Sequence, residues 1–509
     1  MCWAGAGGGA CGPRTTIQLI RSQLPKAISS YELTLDSRPH NQTLTSWLYA
    51  ELRSAILYGR LAPGTRLPAS RDLAAQHGLS RGTVVSVFER LQTEGYVSCQ
   101  VGLGTWVNRL ATVNGQVNRQ ETPPAYVRRV LATYARPKAW IDLSLLERGR
   151  PFQAGDPAID EFPARLWGSI AAKRARTFAS WLRTEDDGRG YRPLREAITH
   201  YLSISRGVHC SSDQIIVVSG VQQALDLLAR VLLKPDEPVW LEDPGYFGTH
   251  IAFRNVGAKI IPVPVDEKGL DVEAGIKACP QAKGAYVTPA HQFPMGVTMS
   301  LERRMALLKW ASSAGAFIIE DDYDSEYRFA GRRVPTLQGL DRNSNVILVG
   351  SFTKTLFPSL RIGYLVLPSS LVDCFLAYRY RTDFRNLSLD QAILCDFIED
   401  GHLGRHLRRM RNLYSGRLAA LLEGGRTYLS GLLKISNVRA GLYTVGFLEN
   451  GMSSRQAEKA AASHGVEVIA LDRYTLKRSD PKGVLIGFAA FDEKAIRKGL
   501  VQLAKALGH

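Results

Sequence analysis

The sequence predicts a multidomain chain: a small helical head that ends in a β-hairpin, then a large α/β body on a mostly parallel sheet. Three observations predict it. The 509 residues are about three domains' worth of chain at roughly 150 residues each. From Gln42 to Asn108, short helical patterns are separated by turn residues. From about Pro151 onward, buried-strand runs alternate with amphipathic helices, the pattern of a sheet covered on both faces. The expected division is an extension over residues 1–41, a head over 42–108, a linker over 109–150 and a body over 151–509.

Composition narrows the class. Hydrophobic residues make up 45%, charged residues 22% and aromatics 9%, the balance of a folded soluble protein and not of a disordered or fibrous one. Lys and Arg number 64 against 47 Asp and Glu, a net charge of +17 that attracts polyanions such as nucleic acid. The seven cysteines are scattered and form no CxxC pair, which suits a reducing cytoplasm and points to no metal site. No run approaches the roughly 18 apolar residues of a membrane span. The opening MCWAGAGGGACG lacks the basic start and long apolar run of a secretory signal, so residues 1–41 read as an extension of a cytoplasmic protein.

In the head, Leu48, Leu52 and Ile56 recur at helical spacing, and Gly59, Pro63 and Gly64 end the run. Pro68-Ala69-Ser70 opens a second short helix with Leu73 and Ala74 inward, broken at Gly78. Ser80 offers an N-cap hydroxyl to a third helix, where Val84, Val87, Phe88 and Leu91 line one face and Gly95 closes the end. Two extended runs follow, Tyr96 to Gln100 and Thr105 to Val107, turned by Gly102-Leu103-Gly104. Helix, tight turn, helix and hairpin describe a winged helix-turn-helix. The residues left over after the apolar face is assigned suit DNA: Arg71 in the first turn of the second helix, and Ser80, Arg81 and Thr83 at the start of the third, the end that enters a major groove.

The run ILYGRLAPGTRLPASRDLAAQHGLSRGTVVSVFERLQTEGYVSCQVGLGTWV resembles the winged helix-turn-helix of the GntR family of bacterial transcription regulators. The resemblance implies binding to double-stranded promoter DNA, with Arg71 and Arg81 as leading contacts and Ser80, Thr83, Gly102 and Gly104 in support.

The linker carries Asn-Gly, Pro-Pro and scattered Arg with no sustained period. In the body, IIVVSG, AYVTP, FIIEDD and NVILVGS read as strands; VQQALDLLARVLL and LERRMALLKWASSAG read as helices. Ligands in such sheets sit at the carboxyl ends of strands. There, Ser219-Gly220 opens a helix, so the N–H groups of Gly220, Val221 and Gln222 suit a phosphate. FIIEDDYDSEY puts acids at the end of a buried strand, where an ionised carboxylate needs a cationic partner such as a protonated ring nitrogen. VGSFTKTLFPSLRIGY supplies Ser351, Thr353, Lys354 and Arg361. Hydroxyls, an amine and a guanidinium in one segment describe a phosphorylated aldehyde held as a Schiff base.

With EDPGYFG and HQFPMG before it, this segment resembles the core of fold type I, aminotransferase-like enzymes that bind pyridoxal 5'-phosphate. The resemblance implies Lys354 as the Schiff-base lysine and Asp321 as the partner of the pyridinium nitrogen, with Asp322 as the alternative. It implies Tyr323 on the ring hydroxyl and Tyr246 stacked on the ring. Ser351, Thr353, Arg361 and the loop of Gly220, Val221 and Gln222 are implied on the phosphate.

Head and body together, with GYRPLREAI, RGVHC and HQFP, resemble the MocR or GabR type of regulator, which implies a homodimer. Three departures from working aminotransferases weigh against turnover. Phe293 stands where an Asn usually precedes the Pro-x-Gly turn; GVLIGFAAF lacks the Arg that grips a substrate carboxylate; and TEDDGRGY offers no clear counterpart of the Tyr that reaches a neighbouring subunit's phosphate. The expectation is a regulator that senses pyridoxal phosphate itself or an amino acid exchanging with Lys354, for which Arg381 is another carboxylate handle. The competing reading is an active aminotransferase with an appended DNA-binding head.

Overall fold

The computed structural model describes residues 35, 38, 42–100, 104–109, 125–128, 149–177, 187–329, 335–383, 388–477 and 481–508. The expectations for the extension and linker therefore lie largely outside the described residues, as does Gly102. The chain divides between residues 133 and 134 into two compact units.

The first unit contains helices α1 (Leu44–Leu57), α2 (Ser70–Gln76) and α3 (Arg81–Thr93), then strands β1 (Val97–Gln100) and β2 (Gly104–Val107). The apolar positions read from the sequence do close its core: Leu48, Leu52, Leu73, Val84, Val87 and Leu91 are fully buried. Phe88 packs against the same core, as its spacing implies, but is less covered. It sits on the flank of the Val84, Val87 and Leu91 stripe and is only partly buried. The Ser80 hydroxyl caps α3 by accepting from the Thr83 N–H at 3.1 Å, one of the donors a helix start leaves without an internal partner. β1 and β2 pair antiparallel, Val97 against Val107 through Gln100 against Gly104.

The second unit holds the expected α/β sheet. Its eight strands run in the order β3 (Ile215–Val218), β10 (Gly363–Val366), β9 (Val346–Ser351), β8 (Phe317–Asp322), β7 (Gly284–Val287), β4 (Pro238–Asp243), β5 (Lys259–Asp266), β6 (Gly269–Leu270). β4, β5, β7, β8 and β9 pair parallel, and β10 runs antiparallel to both of its neighbours, β3 and β9. Alternate residues serve opposite faces: Ile319, Ile347 and Val349 join one apolar cluster, while Ile318, Val346 and Leu348 join others. A second sheet follows, β11 (Leu433–Ile435), β12 (Tyr443–Leu448), β14 (Gly483–Gly487) and β13 (Ile469–Ala470) in that order, all antiparallel. Helices His402–Tyr428 and Ser454–Ser463 pack on it, and Glu493–Ala506 packs on both of those helices.

One buried contact fixes the far side of the large sheet. The Trp240 ring of β4 stacks on Trp310 of helix Leu301–Ala314, 3.7 Å between centroids, and the Trp240 indole N–H donates to the Cys279 carbonyl at 3.0 Å. Trp240→Ala is expected to lower stability by about 3–5 kcal/mol through the cavity it leaves. Chemical denaturation of the full chain reads this as a lower midpoint for the body, and an unchanged midpoint would contradict it.

Candidate functional site

A cavity of about 340 Å³ opens at the carboxyl ends of β3, β4, β7, β8 and β9 and is walled on its other side by residues of the small sheet. Every cofactor-side residue singled out in the sequence lines it: Gly220, Val221, Gln222, Tyr246, Asp321, Tyr323, Ser351, Thr353, Lys354 and Arg361. The parallel strands bring these distant segments together because each ends at the same edge of the sheet. Gly220 turns from β3 into helix Val221–Leu232 with φ +97, a conformation other residues rarely adopt, so the helix N–H groups start at the cavity rim. Arg361 caps the turn before β10 with φ 49 and donates to the Ser219 carbonyl at 3.0 Å, which anchors the guanidinium beside that helix start.

Strand alternation settles which carboxylate faces the cavity. Asp321 points in, while Asp322 points behind β8 and pairs with Arg206 at 2.9 Å. The Tyr286 hydroxyl donates to Asp321 Oδ2 at 2.6 Å, and Asp321 Oδ1 is buried with no partner. Burial pushes the Asp321 carboxyl up to about 7, with further raising from Asp322 and Asp324 and opposition from the Tyr286 hydrogen bond. Across the cavity, Lys354 Nζ donates to the Gly155 carbonyl at 2.6 Å. Burial lowers the pKa of this amine against the pull of Asp156 and Asp324, which favours the neutral, nucleophilic form. The cavity thus holds a buried acceptor in want of a cationic donor, a desolvated amine, and an anion-binding helix start. These features fit the ring nitrogen, aldehyde and phosphate of pyridoxal phosphate respectively.

Several lining residues had no signal in the local sequence. Tyr286 and Thr288 come from the end of β7, and Tyr443, Leu485, Ile469 and Tyr474 come from the small sheet and its connections. Tyr323 donates to the His291 carbonyl at 2.8 Å and meets the Tyr443 hydroxyl. His291 Nδ1 lies 2.9 Å from Asp324 in a fully buried pair. HQFPMG was legible as a family signature, but this pairing was not. Phe293, at the position expected to carry Asn, forms apolar wall and packs edge-on to Tyr246 and Tyr474. The first five residues of GVLIGFAAF form β14, which presents Leu485 to the cavity. Arg381 is exposed on helix Val372–Thr382 and is not among the residues that line the cavity.

In the head, Arg71, Ser80 and Arg81 are exposed at the starts of α2 and α3, with Thr83 part-buried beside them. Gly104 opens β2 in the hairpin. Among the described residues, no cluster suited to a metal ion occurs and no helix is long and apolar enough to cross a membrane.

Comparison with known proteins follows the same division. Residues 44–107 match the family model for bacterial regulatory proteins of the gntR family, and residues 171–501 match that for aminotransferase class I and II. The probable rhizopine catabolism regulatory protein MocR of Rhizobium meliloti is 38% identical over 463 residues, 90% of this chain and 92% of that protein. The pyridoxine biosynthesis transcriptional regulator PdxR of Corynebacterium glutamicum is 30% identical over 480 residues, 94% of this chain and 99% of that protein. Among solved structures, the α-aminoadipate aminotransferase LysN of Thermus thermophilus, complexed with N-(5'-phosphopyridoxyl)-L-leucine, superimposes with a TM-score of 0.66 at 26% identity, covering 72% of this chain and 93% of that one.

The raised carboxyls have a consequence for pH dependence. Asp321, Glu242 and Glu320 are each pushed up to about 7 by burial, so the unfolded chain gives up these protons first as pH rises. Their stabilising contribution is complete below about pH 4 and is lost as pH climbs to about 7. Asp321→Asn removes one share of that loss. The stability of this variant relative to wild type, measured without added ligand, should therefore rise by roughly 1–3 kcal/mol between pH 4 and pH 7. A difference that stays flat across this window would contradict the account of Asp321.

Proposed function

Because the chain belongs to the MocR-type regulators of the gntR family, with a body of the aminotransferase class I and II family, we propose that it holds pyridoxal 5'-phosphate on Lys354. Occupancy of that cavity then sets how tightly the head binds promoter DNA. The observation that carries this reading is the meeting, in one cavity, of the desolvated Lys354 amine, the unpartnered Asp321 oxygen, and the Gly220 helix start with Arg361.

When bound, pyridoxal phosphate supplies an aldehyde that condenses with a primary amine with loss of water, and a ring nitrogen that carries positive charge when protonated. Lys354 provides the amine, and Asp321 receives the ring N–H and offsets its charge. Gly220, Val221 and Gln222 N–H groups, with Ser351, Thr353 and Arg361, bind the phosphate. Tyr246 covers the ring and Tyr323 meets its hydroxyl. The chain acts as a homodimer whose paired heads read two half-sites through Arg71, Arg81, Ser80, Thr83 and the wing glycines Gly102 and Gly104. The linkage requires only that the ligand bind the two head arrangements with different affinity.

Pyridoxal phosphate itself is the better-supported signal. Leu485, Tyr443, Leu442 and Ile469 make one part of the lining apolar or aromatic, and Arg361 is the one guanidinium lining the cavity among the described residues. A relative named for pyridoxine biosynthesis regulation points the same way. The same wall speaks against enzyme-like transamination, which needs a carboxylate grip.

Purified protein should turn yellow with pyridoxal phosphate and change its affinity for the duplex upstream of neighbouring genes. Lys354→Ala should lose the bound absorbance and the response. Arg81→Ala should keep the colour and lose about 1–3 kcal/mol of DNA affinity. Amino acids should leave the bound absorbance unchanged. Colourless wild-type protein would overturn the cavity assignment, and steady keto-acid production at enzyme-like rates would move the reading to an aminotransferase.

A further inference from the structure

The wing of the head is wider than its hairpin. Residues 65–67 run antiparallel to β2, with the Leu67 N–H donating to Thr105 O at 2.8 Å, the Val107 N–H donating to Thr65 O at 2.9 Å, and Arg66 paired with Trp106. This short third strand carries Arg66, whose side chain is exposed.

Two contacts hold that side chain in place. Its guanidinium carbon lies 5.7 Å from the centre of the Trp106 ring, within cation–π range. Gly104, at φ +125, lies against the same group: a Cβ at this position would come within 2.7 Å of Arg66 Nε. Glycine suits 104 for its backbone angle, and its bare Cα lets the guanidinium rest against it. Arg66 also carries an uncompensated charge. In the same unit Arg90 pairs with Glu94 at 3.0 Å and Arg60 with Glu51 at 3.7 Å, whereas no carboxylate among the described residues lies within ion-pair reach of Arg66.

A guanidinium that is positioned, exposed and unneutralised is suited to a phosphate, which its planar fork can grip with two parallel hydrogen bonds. Stacking on Trp106 also removes part of the ordering cost that a long side chain otherwise meets on contact. Only Leu67–Ser70 separate Arg66 from Arg71, so one short run joins the wing strand to the first turn of α2.

We propose that Arg66 contacts a backbone phosphate of duplex DNA from the wing, beside the contacts made at the starts of α2 and α3. The proposal rests on the DNA-binding reading of the head. A phosphate contact positions the protein without reading bases, so its loss must be felt alike on unrelated sequences and must alter the salt dependence.

The test uses the full-length protein with two mixed-sequence duplexes of unrelated sequence, titrated from about 50 to 200 mM salt. Arg66→Ala should weaken both by roughly five- to tenfold. It should also reduce the slope of log affinity against log salt by about 0.9, the share of one phosphate. Arg66→Lys keeps the charge while losing the planar fork and the stack, and should restore the slope. A structural role in wing packing predicts the opposite: both variants would lower the fraction of protein able to bind, and neither would alter the slope of the bound population. An unchanged slope for Arg66→Ala, or a loss confined to one duplex, overturns the proposal. Wild-type protein that binds neither duplex would remove the DNA-binding reading itself.

Discussion

A buried carboxylate with one oxygen unsatisfied, held across a cavity from a desolvated amine, is the constraint around which the body is arranged. Taking an ionised carboxyl out of water is costly unless a cation or a donor answers it. Tyr286 answers one oxygen of Asp321 and nothing answers the other. Behind the same strand the fold solves the same problem internally, with Arg206 on both Asp322 and Glu326. Adjacent residues thus differ: the Asp322 charge has a guanidinium beside it, and the Asp321 carboxyl has only the Tyr286 hydroxyl.

The rest of the body makes that imbalance tolerable. Parallel strands end together, so one sheet edge gathers the Gly220 helix start, Asp321, Ser351 and Lys354 from segments spread between residues 220 and 354. The antiparallel β10 has its own part: it lets the turn before it carry Arg361 to that same edge. The small sheet then closes the cavity with Leu485 and Tyr443, one apolar and one aromatic side chain. The first sheet thus supplies the polar lining of the cavity and the second sheet mostly apolar and aromatic lining.

Much of this was legible because it is local. The Ser80 cap, the Val84, Val87 and Leu91 stripe, the Gly220 junction and the Lys354 segment each declare themselves within a dozen residues. What was not legible depends on register or on distance. Asp321 and Asp322 are indistinguishable by composition, and only the alternation of β8 with Arg206 behind it separates them. Tyr286 and Tyr443 reach the cavity from strands that look like ordinary buried strands. The third wing strand is three residues with no β pattern of its own, so nothing in the sequence singles out Arg66. Phe88 shows the limit of periodicity, since a residue can keep the helical spacing and still fall at the margin of the buried stripe.

The account stands on one amine, and locating a covalent tag tests it most directly. Protein incubated with pyridoxal phosphate, reduced with borohydride and digested should yield, by peptide mass spectrometry, a single stoichiometric modification on Lys354. Tagging spread over surface lysines, or confined to another residue, would contradict it.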